Sequence, residues 1–287
     1  MKAPAFRYLR ARSIADACAM LAEHGADARI LAGGQSLMPV LNLRLANPAV
    51  LVDINPVAEM AGISVDQSTV RIGALTRYRD IQDSPIIRQH LGLIADALPF
   101  VAHAAIRNRG TIGGSLATAD PAAEMPACCL ALDARMILES TRGQRTVPAD
   151  GFFRSTFETA LEPDELLTKI EFPIAGPDWR HAFAEFSRRH GDFAIVGAAA
   201  RARLNARRFA DIRVVMFGVA DRPLRIDAAE KALLSAANLK EGIAAAQATL
   251  AKALEPPSDN QTSSEARLHL ARVLLGRALA QFDDAVD

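Results

Sequence analysis

The chain has 287 residues, half of them hydrophobic, and its 33 basic and 33 acidic side chains cancel. That length admits two domains with buried cores. The balanced charge argues against a nucleic-acid binder, which normally carries a basic face, and the sequence holds no polybasic segment to bring it to an anionic membrane.

No apolar run approaches the ~20 residues needed to span a bilayer, and no apolar stretch follows the first charges to make a secretory signal. Ser13 is placed to cap a first helix, with Asp16 at the capping-box position and Gly25 to end it. Strand patterns follow at 28–32, 50–54 and 69–74, then a helical stretch from Thr76 and another over 85–97. Residues 121–132 read as a helix in which Cys128 and Cys129 pack as small apolar groups, with strands at 135–139 and 166–172. The alternation lacks the rhythm of repeated βαβ units, so the expected class is α+β rather than doubly wound.

Two prolines and a glycine over 173–177 mark a boundary, giving a first domain over 1–176 and a second over 177–287. In the second, 182–187, 195–204 and 212–219 form a three-stranded antiparallel sheet. Helices follow at 228–236, 239–254 and 265–282, the last capped by Ser264, with Leu268, Leu275 and Leu279 on one face. Together with Cys18, the three cysteines suit a cytoplasmic setting and supply neither a disulfide framework nor the ligands of an iron–sulfur cluster. The six histidines show no metal-ligand spacing, so no metal site is expected.

The candidate functional residues lie in two Gly-Gly segments. One is Ala32, Gly33, Gly34, Gln35 and Ser36; the other is Thr111, Ile112, Gly113, Gly114 and Ser115. Glycine admits positive φ and leaves no Cβ to block a ligand, so such a loop can aim consecutive N–H groups at phosphate oxygens. The two serine hydroxyls add donors. Taken singly, each pair is an ordinary turn signal. Neither fits the P-loop or the G-x-G-x-x-G pattern, and a ligand with two linked phosphates is the expectation that accounts for both. Arg107 and Arg109 flank the second segment and are placed either to offset phosphate charge or to be solvated; Asp53 and Asn55 read as closing a turn. His190 is a lone histidine at a possible domain seam.

Read with their flanks, the segments carry more. LAGGQSLMP over 31–39 with VLVDI over 50–54, IRNRGTIGGSLATADPAAE over 106–124, and RRHGDFA over 188–194 occur in that order. This ordered set resembles the FAD-binding medium subunit of the molybdenum hydroxylases, the family of xanthine and carbon monoxide dehydrogenases. The resemblance implies an FAD-binding domain of the type shared with vanillyl-alcohol oxidases (PCMH type), followed by the C-terminal domain of these subunits. It implies that both Gly-Gly segments grip the FAD pyrophosphate, that Thr118 lies near the phosphates, and that Glu124 takes the acidic position that bonds the ribose or nearby polar groups. Phe193 falls where an aromatic ring lies near the isoalloxazine; its alternative is core packing. No catalytic residue is implied on this chain.

The expected function is electron transfer, from [2Fe-2S] clusters on an iron–sulfur small subunit to FAD and on to NAD+, a quinone or another acceptor. The molybdenum cofactor would sit on a large subunit, in a cytoplasmic dimer of heterotrimers. Two alternatives remain at the level of sequence: a stand-alone FAD-dependent oxidoreductase, and a non-catalytic flavin- or nucleotide-binding module.

Overall fold

A computed structural model describes residues 2–205 and 208–284. The N-terminal part opens with a three-stranded parallel sheet in which Val50–Asp53 lies between Arg7–Arg10 and Ala28–Leu31. The outer strands Arg7–Arg10 and Ala28–Leu31 are joined by the helix Ile14–His24, whose Ser13 hydroxyl accepts from Asp16 N at 3.1 Å and whose end is set by Gly25 at φ 48°. The crossover from Ala28–Leu31 to its parallel neighbour Val50–Asp53 carries the helix Leu37–Asn42. All four residues of Val50–Asp53 are buried.

A second sheet, buried mainly along its three inner strands, has the order Ile63–Val65, Thr69–Gly73, Leu166–Pro173, Arg135–Ser140, Gly143–Pro148, with every pair antiparallel. Between Thr69–Gly73 and Arg135–Ser140 the chain makes six helices of four to eight residues. The expected helix over 85–97 is two, Pro85–His90 and Gly92–Ala97, broken at Leu91. The stretch expected from Thr76 begins at Tyr78, because the Thr76 hydroxyl instead pairs with the backbone of Gly62 at 3.0 Å.

The C-terminal part shows the expected antiparallel meander as Trp179–Phe186, Val196–Asn205 and Arg208–Phe217, plus a two-residue edge strand, Leu224–Arg225. The sheet is buried on both faces over 196–202 and 214–217, whereas in the edge strand Trp179–Phe186 only Ala182 and Phe183 are buried. Ala198, Ala200, Ala202, Val214 and Met216 pack under Asp227–Ser235, Leu239–Ala253 and Ser264–Asp284. The alternate residues Phe183, Ala199, Val215 and Phe217 complete the core of the N-terminal part. Glu124–Ala131, expected over 121–132, lies in this seam against the central strands, and all eight of its residues are buried, Cys128 and Cys129 included.

The cap of the last helix needs one correction. Ala266 N bonds the Ser263 hydroxyl at 3.2 Å, whereas Ser264 N turns away to Ser258. The mixed arrangement is α+β, and no helix among the described residues is long and apolar enough to cross a membrane.

Candidate functional site

The first Gly-Gly segment leaves the strand Ala28–Leu31 and turns over the end of the parallel sheet. Gly34 takes φ +72°, which a Cβ would strain. At Gly33 an added Cβ would land on the carbonyl of Arg109, so the two segments touch backbone to backbone. Asn55 fixes the turn from below, donating from Nδ2 to the Ala32 carbonyl at 2.8 Å and to Asp53 Oδ1 at 2.6 Å. The Gln35 side chain folds back to the Gly33 carbonyl at 3.0 Å, and Met38 N bonds the Gly34 carbonyl at 3.1 Å.

One set of groups is left over. Among the described residues, the backbone N–H groups of Gly33, Gly34, Gln35 and Ser36 meet no acceptor. Those of Gly33, Gly34 and Gln35 rim a cleft of about 610 Å³ lined by Ala32 to Gln35, Tyr8, Met38, Asp53, Asn55 and Arg109. Ser36 is not part of that lining. Arg109 is exposed at the cleft, and among the described residues its guanidinium has no carboxylate partner.

The second segment is built differently. It is the start of a helix, Ile112–Thr118, capped by Thr111, whose hydroxyl accepts from Gly114 N at 3.1 Å. Ile112 N bonds the Thr76 carbonyl at 3.1 Å, Gly113 N the Ala74 carbonyl at 2.9 Å and Ser115 N the Thr111 carbonyl at 3.1 Å. Every N–H from 112 to 115 therefore has a partner inside the fold. A Cβ on Gly113 would collide with Ala74, which makes Gly113 a packing glycine. Thr118 uses its hydroxyl proton on the Gly114 carbonyl at 2.7 Å. Of this stretch only Arg109 reaches the cleft.

Glu124 and Phe193 do not line the cleft either. Glu124 is 5% exposed, and burial, with the charge of Asp120, pushes its carboxyl up to about 7. Across the seam, Glu185 has both carboxyl oxygens buried without a partner, and burial and then Glu124 push it up to about 8. The Tyr78 hydroxyl, beside Ser115 and Glu124, is buried and makes no well-formed hydrogen bond. Phe193 is 63% exposed and so is not a core residue. Arg107 turns inward, donating to the carbonyls of Val101 at 2.9 Å and Ala102 at 2.7 Å, which leaves Arg109 as the flanking arginine free for an anion. His190 does meet the seam, stacked on Phe100 at 6.0 Å.

Sequence reasoning missed three contributors. Asn55 is more than a turn residue, Arg77 carries no local signal, and Glu185 joins the seam. Glu185 was findable, since it shares the strand face of Phe183 two residues before it.

Four adjacent free donors, two glycines that leave room at the backbone, and an unpaired guanidinium form the donor set that a diphosphate requires. The cleft therefore has the donors to hold a diphosphate group.

Comparison with known proteins places both parts of the chain in known families. Residues 4–175 match the FAD binding domain in molybdopterin dehydrogenase, and 181–282 match the CO dehydrogenase flavoprotein C-terminal domain. The chain is 40% identical to the 6-hydroxypseudooxynicotine dehydrogenase complex subunit alpha of Paenarthrobacter nicotinovorans, over 98% of this chain and 95% of that one. It is 38% identical to the carbon monoxide dehydrogenase medium chain of Hydrogenophaga pseudoflava, over 96% of each. A solved structure of carbon monoxide dehydrogenase from Hydrogenophaga pseudoflava superimposes with a TM-score of 0.95 at 40% identity, covering 98% of both chains.

Proposed function

The chain belongs to the FAD-binding medium subunits of the molybdenum hydroxylases, and from that premise we propose that it carries electrons between a partner's iron–sulfur clusters and a final acceptor. The observation that carries the cofactor site is the row of free N–H groups from Gly33 to Ser36. Those groups, with the Arg109 guanidinium, hold the pyrophosphate in place. Bound FAD supplies the redox chemistry, accepting electrons and passing them on.

The rest of the chain orients and shields. The second Gly-Gly segment supports the cleft from beneath, its own donors being engaged. Thr118 and Glu124 do not line the cleft, and Glu124 belongs to the polar seam that also holds Tyr78 and Glu185. Phe193, exposed on the C-terminal part, is free to cover an aromatic ring system from one side. We place the chain in a cytoplasmic dimer of heterotrimers with an iron–sulfur small subunit and a molybdenum-binding large subunit, delivering electrons to NAD+, a quinone or a comparable acceptor. The domain division that goes with this reading is 1–176 for the cofactor and 177–287 for the C-terminal part.

A visible absorption spectrum of the purified chain, before and after addition of FAD, tests the cofactor. Oxidised-flavin bands and FAD released by acid are expected. A chain that stays colourless and binds no FAD overturns the reading. Rapid mixing of the assembled complex with its reducing substrate tests the electron path. Iron–sulfur reduction should precede flavin bleaching, and flavin bleaching that leads the clusters would reverse the proposed order.

A further inference from the structure

Arg77 lies against both glycine segments and belongs to neither. Its backbone forms an isolated antiparallel bridge with Thr111, and the next N–H, that of Tyr78, bonds the Gly110 carbonyl at 3.1 Å. Its side chain then bonds in two directions. Nη2 donates to Asn55 Oδ1 at 2.6 Å, and Nη1 donates to the carbonyl of Arg109. Asn55 in turn holds the Ala32 carbonyl at 2.8 Å and Asp53, and Asp53 accepts the Tyr8 hydroxyl. One unbroken run of hydrogen bonds therefore follows the cleft edge, from Tyr8 through Asp53, Asn55 and Arg77 to the backbone of Arg109.

The Arg109 carbonyl is where the two segments meet. Gly33 closes against it, and Arg77 bonds it. Only a rigid, forked donor joins two acceptors on different segments with a fixed spacing; a lysine ammonium is a single flexible point. Burial and then the charge of Arg109 hold the Arg77 guanidinium below its ordinary value against the opposing pull of Asp80 and Asp53, and among the described residues no carboxylate bonds it directly. An anion in the cleft relieves that repulsion.

We propose that Arg77 is a positioning residue for the cofactor. By bonding Asn55 and the Arg109 carbonyl together, it fixes the distance between the two segments. That distance aims the N–H groups of 33–36 and the Arg109 guanidinium at one diphosphate. The role rests on the reading of 33–36 as the pyrophosphate cradle.

The test is titration of FAD into the full chain by flavin fluorescence, for wild type, Arg77→Ala, Asn55→Ala and the double variant. Amide hydrogen exchange over 32–36 is read on the same proteins without cofactor. Arg77→Ala should weaken FAD binding about 30-fold and speed exchange over 32–36. The double variant should be no weaker than the worse single, since both break one clasp. Added methylguanidinium should restore affinity to Arg77→Ala, an effect that a general loss of stability would not show. If wild type binds FAD and Arg77→Ala binds it equally well, the Arg77 role falls alone. Additive losses without rescue by methylguanidinium also overturn it. If wild type binds no FAD, the cradle reading falls first and takes the role with it.

Discussion

The two Gly-Gly segments look alike in sequence, each a glycine pair followed within two residues by a serine, yet the fold gives them opposite work. At 33–36 the glycines leave four N–H groups without acceptors and bring the backbone against Arg109. At 112–115 the same residue types start a helix, and each N–H is taken by Thr76, Ala74 or Thr111. Gly33 makes room for the backbone of Arg109 beside the cleft, and Gly113 makes room for Ala74 in the core. A glycine motif therefore reports close approach, and what approaches is decided by the neighbouring elements.

The difference can be broken experimentally. The largest effect is expected from Gly33→Val, whose side chain would push into the Arg109 carbonyl. FAD affinity should fall roughly 100-fold, about 2.7 kcal/mol, as measured by fluorescence titration. Unchanged affinity would remove the first segment from the cofactor site. Gly113→Val should act instead on the fold, because its Cβ meets Ala74 in the core. Overpacking of this kind costs about 1–3 kcal/mol, so the apo chain should melt several degrees lower. A Gly113 variant that melts normally but loses FAD would make the two segments equivalent after all.

The seam beneath the second segment sharpens the contrast through pH. Glu124 and Glu185 are raised to about 7 and about 8, from an ordinary value of 4.5. The folded chain therefore holds protons that the unfolded chain has released, and the contribution to stability is fully present below 4.5. It is lost as pH rises from there through about 8. Glu185→Gln cannot ionise, so its melting temperature should exceed that of wild type by more at pH ~9 than at pH ~5. Equal differences at both would show that Glu185 titrates normally. The smallest effect is assigned to Ser36→Ala. Ser36 lies outside the cleft lining and the cradle is made by backbone, so at most a few-fold loss in FAD affinity is expected, within the about 0.5–1.5 kcal/mol of one hydrogen bond.

Much of the architecture was legible because its signals are local. Ser13, Asp16 and Gly25 bounded the first helix, and apolar runs marked the meander of the C-terminal part. The helix Ile112–Thr118 was not legible, since glycines at 113 and 114 are poor helix formers and Thr111 supplies the cap only once the chain has turned. The sequence points to Ser264 as the cap, but adjacent serines are equivalent until one hydroxyl, here that of Ser263, meets the N–H of Ala266.

By itself, the sequence determined the family, the α+β class, and the two places where backbone must come close to something. Composition and short motifs suffice for that, because turn chemistry and hydrophobic period act over a few residues. Only the tertiary structure decided which glycine pair keeps its donors open, that Arg109 rather than Arg107 faces the cleft, and that Arg77 and Asn55 tie the two segments together. The reason is physical. Whether an N–H is free depends on an acceptor such as Ala74 or Thr76, brought to it by strands and helices far along the chain, and no local pattern encodes that meeting.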